Sequence, residues 1–142
     1  MIATAIRKYK TPSLDVPDRL FQITQASRTH TQLWLQSDRN KSKGELRLEV
    51  LFQSVQYLCI PFAIKGLALR QATTDECTRL SDLHGLKADS RWGIYLLSRQ
   101  HDWFVVSAPP VWAEADLGFN DKSAFWSSAD RPDVVRSIGT LE

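Results

Sequence analysis

The sequence predicts an α+β chain that is mainly β, an antiparallel sheet or partly open barrel of seven or eight strands with one well-marked helix packed on it. Three observations predict it. Residues 44–53 alternate between apolar and polar with a period of two. Similar short runs recur along the chain, separated by polar or proline-containing breaks. Only residues 74–84 carry a helical start, a helical period and a stop together. Strands that follow one another without intervening helices favour antiparallel pairing, and the βαβ rhythm of a nucleotide fold is missing.

The elements follow in order. Ile2–Tyr9 reads as a strand, and Pro12 to Pro17 as an irregular connection, because proline cannot donate to a ladder. Arg19–Gln25 and Thr31–Gln36 each place two apolar residues on one face, Phe21 with Ile23 and Leu33 with Leu35. The run Ser37-Asp38-Arg39-Asn40-Lys41-Ser42-Lys43-Gly44 is polar and ends in glycine, so it is a hairpin loop. After it, Leu46, Leu48, Val50 and Phe52 are apolar while Glu45, Arg47, Glu49 and Gln53 are not. A strand with one buried face requires that alternation, with Arg47 on the outward side.

The phase flips at Ser54, so a bulge or tight bend is expected near Gln53–Gln56. A short strand follows to Pro61, and Ile64–Ala72 is the next. Thr73-Thr74-Asp75-Glu76 has the spacing of a capping box and opens the helix. Cys77, Leu80, Leu83 and His84 form its expected buried side, and Gly85 its stop. Trp92–Ser98 and Trp103–Ala108 flank a polar turn and read as a hairpin, with Trp92 and Trp103 candidates to pair across it. Val111–Ala115 reads as a further strand, residues 117–129 have no clean period, and Pro132 in the first turn marks a short C-terminal helix over about 131–138.

The 142 residues are expected to form a single domain, 1–142, since no linker divides them. Apolar residues at 43% and charged residues at 24% exclude a disordered chain. No apolar run is long enough for a membrane-spanning helix, and the N-terminus lacks the pattern of a signal peptide, so a cytoplasmic chain without membrane contact is expected. Cys59 and Cys77 are expected to be reduced and structural. Residues 1–71 carry a formal charge of +6 and residues 72–142 of −4. Such halves attract each other within one fold or across a dimer.

Chemical signals are weak. No two of the six glycines are spaced for a phosphate-binding loop, and no Cys or His spacing suits a metal, so neither cofactor nor metal is expected. Cys77 and His84 would lie about 10.5 Å apart along a helix, too far to share one ion readily. Ser98, His101 and Asp102 are neighbours but lack a nucleophile elbow; a solvated turn closed by Asp102 explains them. His84 suits a helix C-terminus for its charge. The loop residues Arg39, Lys41 and Lys43, with Arg47 and an outward Trp34, could contact phosphates and stack on bases. Trp126 lies in a serine-containing, unpatterned stretch and is the second candidate for an exposed aromatic residue.

The first functional expectation is a non-enzymatic protein-binding or regulatory module, self-associating through an exposed sheet face or edge. The alternatives are a small-ligand-binding protein or small enzyme with a pocket near His84 and His101, and a nucleic-acid-binding module using the 39–47 loop.

Overall fold

The computed structural model describes residues 6–27, 31–87, 91–125 and 133–142. Ten strands and one helix are present among them: β1 (Arg7–Thr11), β2 (Ser13–Ser27), β3 (Gln32–Ser37), β4 (Arg47–Phe52), β5 (Tyr57–Cys59), β6 (Ala63–Gln71), α1 (Thr74–His84), β7 (Gly93–Leu96), β8 (Phe104–Ser107), β9 (Val111–Ala115) and β10 (Val135–Leu141). They form a single sheet in the order β1-β10-β9-β4-β3-β2-β6-β7-β8-β5. Every pairing is antiparallel except β1 with β10, which is parallel. The sheet is therefore mixed and larger than the seven or eight antiparallel strands the sequence predicted.

The sheet does not close, but it curls. β4 and β8 stand five places apart in the order, about 24 Å in a flat sheet. Yet Ala108, just after β8, donates its backbone N–H to the carbonyl of Gln53, just after β4, at 3.0 Å. Val55 donates to Thr31, just before β3, at 2.8 Å and so extends the β3–β4 pairing past the bend. The bend falls at Ser54, whose φ is +54°. That is the residue at which the apolar phase flips, as the sequence suggested.

The concave side of the curl holds the main core. Phe21, Leu33, Leu35, Leu48, Val50, Phe52, Leu69 and Trp112 belong to it, each nearly or fully buried. Each such side chain contributes roughly 1.5–3 kcal/mol by leaving water. Trp112 is oriented by a 2.7 Å hydrogen bond from its Nε1 to the hydroxyl of Tyr9, and their rings meet edge to face. That contact crosses β10, which lies between β9 and β1 and passes over the indole at Gly139.

The opposite side carries two smaller layers. α1 packs through Leu80 on Ile94, Leu96 and Phe104, with Cys59 and Cys77 at the border of the cluster as free thiols. Its capping box is formed as expected: Thr73 Oγ1 accepts from Glu76 N, and the Glu76 carboxylate accepts from Thr73 N. Leu83, expected on the packed side, is 67% exposed; in the same last turn it is His84 that meets the sheet, so the packed face runs through Cys77, Leu80 and His84 and turns Leu83 outward. The second layer is the segment Leu117–Phe125, which covers β9, β10 and β4 through Ala113, Ala115, Leu117, Ala124 and Val135.

Three further expectations need correction. The C-terminal segment is not a helix. Val135, Ser137 and Gly139 are buried while Arg136 is exposed, the alternation of a strand, and the β-branched residues suit it; residues 131 and 132, where the capping signal lay, fall outside the described residues. Pro12 to Pro17 is not irregular, because β2 starts at Ser13 and pairs with β6 through Val16. The register then shifts across Pro17 to Leu20, a bulge in which Pro17 needs no ladder donor. Trp92 and Trp103 do not pair, since the register Gly93 with Ser107 and Leu96 with Phe104 puts them at opposite ends of the hairpin.

Candidate functional site

The bulge in β2 is matched in β6 by Gly66, at φ +79°. A Cβ there would lie 2.6 Å from the carbonyl oxygen of Pro17, so only glycine lets the two backbones approach. β6 is paired with β7 at Arg70 and Gln71 only, with two more bonds flanking that pair, from Ala72 N to Ile94 O and from Ala68 N to Leu97 O. Below that point the β7–β8 turn departs from β6. The gap is a cleft of about 500 Å³, lined by Asp15, Pro17, Lys65 to Ala68, Ser98 to His101 and Trp103.

Polar and aromatic groups converge on the cleft. Arg99 Nη2 donates to Asp15 Oδ1 at 2.7 Å and ties the turn to β2. That hydrogen bond holds the Asp15 carboxyl below its ordinary range; partial burial opposes it and the Ser13 hydroxyl assists it. The turn is closed by Ser98, whose Oγ accepts from the backbone N–H groups of Gln100 and His101 at 3.1 Å each. The expected closing residue, Asp102, instead makes two hydrogen bonds with Arg79 of α1, at 2.7 and 3.0 Å. Ser98, His101 and Asp102 thus face three different tasks, and no nucleophilic triad is assembled. The ring of His101 stacks on Trp103, centroids 4.4 Å apart and planes 16° from parallel.

His84 does not share this cleft. Its Nδ1 lies 3.3 Å from the Tyr57 hydroxyl, and its ring meets Phe104 edge-on at 4.9 Å. The two histidines expected to frame one pocket therefore belong to separate places, one at the end of α1 and one in the β7–β8 turn.

The 39–47 loop is also rearranged relative to expectation. Arg39 pairs with Asp116 at 2.7 Å. Arg47 is 1% exposed, since the Leu117–Phe125 layer covers what the sequence presents as an outer face. It donates to the carbonyls of Gly118, Asp121 and Lys122, and to Glu49 Oε2 at 3.2 Å. Trp34 is 4% exposed and offers no stacking surface. Lys41 and Lys43 remain exposed, next to a shallower hollow that also holds Asp18, Asp38 and Glu45. Trp126 lies outside the described residues.

Sequence reasoning missed Asp15, Lys65, Gly66, Arg99 and Trp103 as a group. Gly66 inside a strand pattern was the available signal, as it marks a bulge or close backbone approach. Among the described residues no three His, Cys, Asp or Glu side chains are grouped to hold a metal, and no helix is long and apolar enough to cross a membrane. Comparison of the chain with protein-family models, with curated proteins and with solved structures finds no match in any of the three.

Proposed function

We propose that the chain is a non-enzymatic binding module that pairs with a second copy of itself through the β5 end of the sheet. The contrast between the two sheet edges carries this reading. At one end, β1 is guarded by exposed Arg7, Lys8 and Lys10, a charged fringe that discourages strand addition. At the other, β5 presents Tyr57 and Leu58, 37% and 42% exposed. Residues 50–64 contain no charged side chain, so nothing on this edge repels an identical one. Two copies related by a two-fold axis would extend the sheet antiparallel and bury Leu58 against its counterpart.

Sedimentation velocity over a wide concentration range tests the reading, with Leu58→Arg as the control. A dimer that Leu58→Arg converts to monomer is the expected result; a parent chain that stays monomeric at every concentration ends it. A nucleic-acid partner at the 39–47 loop has less behind it, because Arg39 is already paired and Arg47 and Trp34 are buried.

A further inference from the structure

We propose that the cleft beside Gly66 is a ligand site for a small planar aromatic anion, separate from the β5 edge. Its shape comes first. At about 500 Å³ it falls within the range of small-molecule sites, roughly 300–1,000 Å³. The bulge that opens it uses a glycine at positive φ in backbone contact with Pro17, a feature strand pairing alone does not need.

Its chemistry selects the ligand. The stacked rings of His101 and Trp103 both line the cleft and form a flat wall on which a second planar ring can stack. Lys65 lines the opposite strand with no ion-pair partner among the described residues. Arg99 uses Nη2 for Asp15 and has Nη1 and Nε uncommitted among the described residues. Asp15 offsets one of these two positive charges, leaving the pocket with a net positive charge that suits one phosphate or carboxylate. Asp15 also fixes the guanidinium in place before any ligand arrives, which lowers the ordering cost of binding.

A ring with an attached anion can come from a nucleotide or from an aromatic acid, and titration followed by amide proton–nitrogen NMR separates the two. The probes are adenosine monophosphate, indole-3-acetate, adenosine and inorganic phosphate. At least one of the first two should shift the amides of Gly66 and of residues 99–103. That probe should bind about tenfold or more tightly than adenosine or phosphate, the worth of one charge-assisted contact. Whichever binds identifies the source. Lys65→Gln and Arg99→Gln should weaken it about tenfold and leave adenosine unchanged. Trp103→Leu should weaken both, and the exposed His101→Ala probes the same wall if Trp103→Leu does not fold. No shift with either anionic ring overturns the proposal. So does phosphate binding as well as adenosine monophosphate, which would make this an adventitious anion site. Leu58→Arg should bind like the parent chain, so failure of the self-association reading leaves this one standing.

Discussion

Arg47 and Glu49 stand two residues apart on one face of β4, with Arg47 Nη1 3.2 Å from Glu49 Oε2 and each side chain 2% exposed. Around them the Leu117–Phe125 segment has little regular structure, yet several of its backbone groups are bonded by the pair. Arg47 donates to three of its carbonyls, while Glu49 accepts from Ser123 Oγ at 2.6 Å and Ala124 N at 2.7 Å. The pair holds an irregular layer on the sheet as a strand ladder would hold another strand, by satisfying buried donors and acceptors.

Removing one member should therefore be severe. Arg47→Met leaves Glu49 buried without its cation and takes the Arg47 donor from the carbonyls of Asp121 and Lys122, while Gly118 O keeps only its bond from Asp121 N. We expect a loss of about 3–5 kcal/mol in urea unfolding. Hydrogen exchange should show the amides of residues 117–125 opening first. Arg47→Met combined with Glu49→Leu should recover part of the loss, since no lone charge then remains buried.

Acid stability should depend on Glu76. Two hydrogen bonds from Arg70, each 2.8 Å, and one from the backbone of Thr73 lower its pKa to about 2. A carboxyl lowered on folding stabilises the fold above its unfolded pKa, near 4.5, and that contribution is lost as pH falls toward about 2. Glu76→Gln keeps an acceptor for Thr73 N but removes the charge. The difference in unfolding free energy between parent and variant should thus be full at pH 7 and shrink below about pH 4.5. Thr73→Ala should cost about 1 kcal/mol at pH 7, because its hydroxyl caps the helix, and part of that cost should disappear in acid, since the same hydroxyl helps hold the Glu76 carboxyl low.

Gly66→Ala should destabilise by about 1–3 kcal/mol, from positive φ and collision with the Pro17 carbonyl together. Calorimetry gives the size of the loss. If alanine is tolerated without a fall in melting temperature, the close approach of β2 and β6 is not what holds the bulge.

The seam between β9, β10 and β1 offers a milder test. Tyr9→Phe strands the Nε1–H of fully buried Trp112, and about 1–3 kcal/mol should be lost in denaturant unfolding. Gly139→Ala should be worse, since a Cβ there runs into the Trp112 indole.

The strand at Arg47–Phe52, the bend at Ser54, the capped helix and the 93–107 hairpin were legible in the sequence because each is governed by neighbours in the chain. Side-chain alternation, a phase change and a capping box all act within a few residues. The sheet order, the parallel strand at the C-terminus and the second buried face of β4 were not. Val135–Leu141 becomes a strand because β1 and β9 accept it on both sides, and those partners lie some 130 and some 20 residues away along the chain, respectively. Arg47 reads as a surface residue until the 117–125 layer covers it. The candidate cleft was hidden for the same reason, since Asp15, Lys65 and Arg99 meet only once the curled sheet brings β2, β6 and the β7–β8 turn together. Local sequence set the elements that near neighbours govern, and long-range pairing decided the C-terminal strand, which faces were buried and which residues could act as one site.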